Sequence, residues 1–248
     1  MGKIPFIASY AMFSPGRNWE QIRTTVAYNE SNVKIIGAHA GVSVGPDGAT
    51  HQAIEDIALM RVMPNMIVIA PADVHEARKA TLAAVKYDGP VYIRVGRSNT
   101  PVVTTPESPF EIGKAQVFYE ASTQLEKKIG IVVTGTLLFN ALKSAKQLEA
   151  EGIGVTVLHM PTIKPLDVEA IKKLAQEHEI LITVEEHQKA GGLGSAVAEY
   201  LSEVLPKKII RIGVDDQFGQ SGEPDELIVH YGMDVQSIVE AGKRGIKS

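Results

Sequence analysis

Two imidazoles and a carboxylate stand close together in one glycine-rich stretch of the chain, His39-Ala-Gly-Val-Ser-Val-Gly-Pro-Asp47-Gly-Ala-Thr-His51-Gln52. A neutral imidazole donates or accepts a hydrogen bond and carries a proton near pH 7, while a carboxylate orients a hydroxyl or accepts its hydrogen. Glycines let the backbone turn tightly enough for such groups to converge on a small polyhydroxylated molecule. Two other arrangements use the same residues. One is a glycine-rich turn whose histidines only satisfy backbone groups. The other is a two-histidine, one-carboxylate metal site, which here lacks an HExxH spacing or a supporting carboxylate pattern.

What must position this stretch is a strand before it and a helix after it. Apolar, β-branched runs at 4–11, 33–40, 66–72 and 91–95 read as strands buried on both faces, as in a parallel sheet. Helical patterns at 18–28, 50–63 and 73–87 lie between them, the last opened by Asp73 with Glu76 three residues on, a capping-box spacing. Ligands gather at the carboxyl ends of parallel strands, where the histidine stretch falls.

Residues 98–112 break the alternation with Pro101, Pro106 and Pro109 and read as a linker. Strands at 129–135, 155–160, 180–184 and 209–214 then alternate with helices at 137–151, 167–178 and 193–205, with shorter helices after Pro224 and Val235. Gly152 marks a helix stop and Asp167 a helix start. The alternation predicts an α/β fold of two domains, residues 1–97 and 113–248, each a mainly parallel β-sheet flanked by helices and each burying its own core. The first strand starts almost at residue 1, so the first sheet is expected to expose apolar surface that another chain covers.

Composition narrows the function classes. The 248 residues are 44% hydrophobic and 22% charged, with a net charge of −4 and no cysteine. No basic face points to nucleic acid or an anionic membrane, and no run approaches the roughly 20 apolar residues that span a bilayer. Without cysteine there is no disulfide, thiolate metal site or thiol nucleophile, and a cytoplasmic setting is expected. Gly191-Gly192-Leu-Gly194 lacks a nucleotide-loop spacing and reads as a tight strand-to-helix turn. Glu185, Glu186 and His187 end a strand and are expected to have an interface or structural role; His75, His159, His178 and His230 have no partner by pattern, and Trp19 is open between core and subunit contact.

The histidine stretch resembles the transketolase-family loop THxxxGxGEDGPTHQ, matching at both histidines, the aspartate and the glycine frame, with Pro46 and Ala49 where the family often has Glu and Pro. Ser9-Tyr10-Ala-Met-Phe13 resembles the family's aromatic segment, Arg61-Val-Met-Pro-Asn-Met66 its RVTPNM-like stretch, and Asp88-Gly-Pro-Val-Tyr-Ile-Arg-Val-Gly-Arg97 the segment that ends in a phosphate-binding arginine. Glu185-Glu-His-Gln-Lys-Ala-Gly191-Gly-Leu-Gly194-Ser resembles the C-terminal domain, so nearly the whole chain is covered.

The resemblance implies a thiamine-diphosphate-fold pyrimidine domain followed by a transketolase C-terminal-like domain, with thiamine diphosphate held between this chain and a partner. Tyr10 and Phe13 would contact the aminopyrimidine, and a third family aromatic has only Gly16 near its position. His51 would bond the donor's C1 hydroxyl and carbonyl region, Asp47 the acceptor's C2 hydroxyl, and His39 and Arg97 the substrate phosphate; His39 and His51 are the implied catalytic pair. The family glutamate that bonds the pyrimidine ring lies upstream of the first strand, and the first acidic residue here is Glu20. The Gly-Asp-Gly segment that holds Mg2+ is also missing.

The resemblance therefore implies a split-transketolase C-terminal subunit or fragment that is inactive when isolated. It would need an N-terminal subunit bearing the diphosphate domain and Mg2+, in a homodimer or heterotetramer, and would act on sugar phosphates. The rivals are a 1-deoxyxylulose-5-phosphate synthase, a 2-oxoacid dehydrogenase β-like subunit, or a non-catalytic binding or assembly protein.

Overall fold

Apolar runs become strands here, and each strand stops where the backbone must turn. The computed structural model describes residues 2–122 and 124–247. In the first half, β1 (Phe6–Tyr10), β2 (Lys34–Ala38), β3 (Ile67–Ile69) and β4 (Val91–Arg94) alternate with three helices, α1 (Trp19–Gln21), α2 (Asp56–Arg61) and α3 (Val74–Lys86). Helix α1 continues as a π-helical stretch over Ile22–Ala27. The Trp19 indole N–H donates to Leu59 O at 3.0 Å, so this ring ties α1 to α2.

The second half holds β5 (Gln116–Glu120), β6 (Lys127–Val133), α4 (Leu138–Ala150), β7 (Gly154–His159), β8 (Thr162–Lys164), α5 (Val168–Glu177), β9 (Ile180–Gln188), α6 (Leu193–Val204), β10 (Ile209–Val214), α7 (Pro224–His230) and α8 (Val235–Gly245). Two five-stranded sheets result, in the orders β1-β2-β4-β3-β8 and β10-β9-β6-β7-β5. All pairings are parallel except β3 with β8 and β5 with β7. The fold is thus α/β with mainly parallel sheets.

Strand β8 is the departure. It comes from the second half of the chain yet completes the first sheet, which the apolar runs alone predicted as four strands. At three residues between Pro161 and Pro165 it shows no period. The expectation of a separate core for each half is corrected as well. One apolar cluster joins Ile35, Met60, Met66, Val68 and Tyr92 of the first half to Val132, Leu158, Met160, Leu181 and Leu193 of the second. A second cluster packs α4 and α8 on the other sheet.

Helix ends follow the local chemistry in part. Asp73 accepts from His75 N and Glu76 N, both at 3.1 Å, as an N-cap should. The capping box is not closed, because Glu76 turns instead to Ala72 N and to His159 Nε2, 2.7 Å away in the second half. Asp167 caps α5 through Ala170 N, and Gly152 follows α4 at φ 80°. The helix predicted over 50–63 is shorter, because residues 48–52 form turns and Ala53 bridges to Ala40. Edge strand β1 leaves Phe6 and Ile7 each 40% exposed. No helix among the described residues is long and apolar enough to cross a membrane.

Candidate functional site

The register of the first sheet brings the site together. Phe6 to Tyr10 pair with Lys34 to Ala38, so Tyr10 ends β1 beside the last residue of β2, and His39 follows at once with φ 56°. Gly37 lets β2 approach its neighbour, since a Cβ there would collide with the Tyr92 hydroxyl. The Tyr10 ring stacks on the His39 imidazole with centroids 4.3 Å apart. The His51 imidazole meets the same Tyr10 ring edge-on at 5.7 Å and the Phe13 ring at 5.4 Å, and Tyr10 and Phe13 lie 6.0 Å apart. The guanidinium of Arg17 lies over Phe13 at 4.9 Å. Four rings thus form one cluster at the carboxyl ends of β1 and β2. His39 Nδ1 is buried there without a hydrogen-bond partner, while His51 Nδ1 is 2.9 Å from Thr50 Oγ1.

Asp47 and Arg97 form a separate pair. Arg97 Nη1 donates to Asp47 Oδ1 and to Val44 O, both at 2.8 Å, which ties the segment after β4 to the short 3-10 turn Val42–Asp47. Both side chains are partly exposed. The carboxylate is therefore oriented by the guanidinium, and the turn carries it on from His39 toward His51.

Beneath the loop lies a charged network of which the sequence singled out only the end of β9; Asp56 and Arg94 were passed over. Asp56, at the start of α2, accepts from Tyr92 Oη at 2.7 Å and from Arg94 Nε at 2.9 Å. Arg94 Nη2 donates to Ala53 O and Glu186 O at 3.2 and 2.7 Å. The end of β9 then does three tasks in succession. Glu185 accepts from Leu193 N and Gly194 N at 2.6 and 2.7 Å, so a carboxyl of this chain already occupies the α6 N-terminus, and Gly191-Gly192-Leu-Gly194 is a turn closed by its own strand. Glu186 accepts from Ser43 N at 2.6 Å. His187 Nε2 accepts from Ala58 N at 3.3 Å while Nδ1 donates to Gln188 O at 2.8 Å, which assigns the neutral ring one tautomer. Burial lowers the His187 pKa, raises that of Glu186, and pushes Glu185 up to about 7. Glu186 and His187 thus stand at an interface between the halves, while the Glu185 carboxyl has a structural role within the second half. His159 and His178, unpartnered by pattern, are both buried and hydrogen-bonded, His178 to Leu174 O and Thr156 Oγ1 at 2.9 Å. The signal that could have found the network is charge inside strand cores: Arg94 in Val-Tyr-Ile-Arg and the glutamate pair in Thr-Val-Glu-Glu-His.

Residues 1–103 match the transketolase pyrimidine binding domain and residues 120–238 the transketolase C-terminal domain. A provisionally named transketolase C-terminal section of Methanocaldococcus jannaschii is 45% identical over 242 residues, 96% of this chain and 74% of that one. The chain belongs to the transketolase family. One subunit of an apulose-4-phosphate transketolase of Phocaeicola vulgatus is 38% identical over 99% of this chain and 77% of its own length. The solved structure of a split gene transketolase, an inactive beta4 tetramer, matches with a TM-score of 0.91 and 44% identity, covering 99% of this chain and 77% of that chain.

Transketolase-family domains imply dependence on thiamine diphosphate. The ring cluster fits one part of it. Tyr10 and Phe13, their rings tilted 48° to each other, offer aromatic surface against which a planar heterocycle can pack, and the unpartnered His39 Nδ1 is a buried polar atom in the same cluster. Among the described residues no group of three or more His, Asp or Glu side chains is placed to hold a metal ion.

Proposed function

We propose that this transketolase-family chain is the subunit of a split transketolase that supplies the pyrimidine wall and the sugar-reading side chains. With a partner chain carrying the diphosphate domain, Mg2+ and the activating glutamate, it transfers a two-carbon ketol unit between sugar phosphates. When bound between the chains, thiamine diphosphate supplies the reactive carbon that carries the two-carbon unit.

The contribution of this chain is orientation and hydrogen bonding. Tyr10 and Phe13 hold the aminopyrimidine flat and keep water from it. His51, with Nδ1 on Thr50 Oγ1, uses Nε2 to bond the region of the donor sugar's C1 hydroxyl and carbonyl oxygen, where an imidazole also holds or moves a proton. Asp47 accepts from the C2 hydroxyl of the acceptor. His39 and Arg97 meet the phosphate; Arg97 uses Nη1 on Asp47 and Val44 O, and Nε and Nη2 carry further N–H donors for an anion. The observation that carries this reading is the cluster in which both imidazoles touch the Tyr10 ring. The phosphorylated sugar in the name of the Phocaeicola relative supports the substrate class, and the 40% exposure of Phe6 and Ile7 on β1 supports an oligomer.

Co-expression with the partner subunit tests it. The complex is expected to transfer ketol units and the isolated chain to be inactive. His51→Ala is expected to lower kcat/KM of the complex by about 100- to 10,000-fold, and full turnover in that variant removes His51 from the role. Product formation from pyruvate in place of a ketose donor would instead support the synthase or dehydrogenase alternative, and a complex with no turnover of either kind an assembly protein.

A further inference from the structure

Between His39 and His51 the backbone enters the left-handed region at His39, Gly41, Gly45 and Gly48, with φ of 56°, 89°, 80° and 72°. A segment with so many reversals has little periodic hydrogen bonding of its own, and takes its shape from what it is tied to. Several ties come from nearby, among them Gly41 N to Ala53 O and Ala40 N to Val95 O. Others involve the second half of the chain: Gln52 Nε2 donates to Val42 O of the loop and to Gln220 O, both at 2.9 Å, and a carboxylate from β9 reaches into the loop itself.

Glu186 at the end of β9 is 4% exposed. Its Oε1 accepts from Ser43 N at 2.6 Å, inside the loop, and its Oε2 from Thr136 Oγ1 at 3.3 Å. Its backbone oxygen accepts from the Arg94 nitrogen that also holds Ala53 O, just beyond His51. One residue thus fastens the middle of the loop with its side chain and the far end through Arg94. Gly41 is shaped to this contact, because a methyl group there would collide with the Glu186 carboxylate. A charge-assisted bond buried away from water is stronger and stiffer than an exposed one.

We propose that Glu186 is a positioning residue for the sugar-binding loop: by holding Ser43 it sets where His39 and His51 stand against Tyr10 and Phe13, so that the C-terminal half controls sugar-phosphate affinity from behind the loop. The consequence for affinity rests on the reading of these histidines as substrate ligands; the consequence for their placement does not. Glu185 is the internal comparison. It is equally buried on the same strand, but its carboxyl holds α6.

Two readouts test the proposal. In the isolated chain, Glu186→Ala is expected to move the imidazole 15N resonances of His39 and His51. In the reconstituted complex it raises KM for the phosphorylated acceptor roughly tenfold, with a smaller change in kcat. Glu186→Gln keeps an acceptor toward Ser43 N and restores both. Glu186→Met keeps the buried volume but offers Ser43 N no oxygen acceptor; it is expected to reproduce the Glu186→Ala signature and carries the test where Glu186→Ala does not fold. Glu185→Gln alters thermal stability and neither readout. Unmoved resonances in Glu186→Met or Glu186→Ala, or an equal movement in Glu185→Gln, overturn the proposal. A failure of the transketolase reading looks different: His51→Ala retains full turnover while Glu186→Ala still moves both resonances.

Discussion

Arg94 and Asp56 are 8% and 2% exposed and joined at 2.9 Å, with the Tyr92 hydroxyl on the same carboxylate oxygen. Such a pair adds little when compared with an apolar replacement of both members, but breaking it strands a buried charge. Arg94→Met is therefore expected to cost about 3–5 kcal/mol, measured by urea denaturation; a loss under about 1 kcal/mol would show that Asp56 finds another partner. Glu185 gives a pH dependence of known sign. Burial pushes its carboxyl from 4.5 to about 7, against the opposing pull of the Gly194 and Leu193 N–H groups. The folded chain then holds this proton more tightly than the unfolded chain, so the contribution is full below pH 4.5 and is lost as pH rises toward 7. Glu186 acts in the same direction. Glu185→Gln is expected to flatten the decline of Tm between pH 4.5 and 7, and an unchanged slope would assign the decline to other groups. At this scale the sequence was half legible. Arg97 stood out because it ends a recognisable segment, whereas Arg94 looked like one more strand residue.

Helix α2 shows how far an element can depend on distant parts of the chain. It has six residues, too few to be stable alone. Its first turn is held by His187, and its end by Lys164 of β8, whose Nζ donates to Arg61 O at 3.0 Å and to Met63 O. The orphan carbonyls of a helix end are thereby satisfied by a side chain from the other half. Lys164→Ala is expected to cost about 1–2 kcal/mol and to speed hydrogen exchange at the α2 amides; protected amides in that variant would mean that water replaces the lysine without loss. The sequence pattern placed a helix here but made it too long, because Gly48 and the Ala40–Ala53 bridge cut its start and no local residue announces them.

Across the whole molecule the two halves share an apolar cluster, and the second half lends a strand to the first sheet. Neither half can lose its packing without exposing the other, so the isolated chain is expected to unfold in one cooperative transition by calorimetry. Two resolved transitions, one from each half, would contradict the shared core. The same sharing explains why the loop carrying His39 and His51 is fastened by residues of the C-terminal half.

What the amino-acid sequence determined alone was the strand–helix alternation, most helix starts, and the residues of the histidine loop. Each of these depends on neighbours a few positions apart: the spacing of apolar side chains, an Asp before a helix, a glycine where φ is positive. Only the tertiary structure decided that Glu76 meets His159 across 83 positions, that Glu186 holds Ser43 across 143, and that β8 closes the first sheet. Those contacts depend on how two sheets dock. Docking is set by the summed burial of many apolar side chains, which leaves no periodic mark on any one segment.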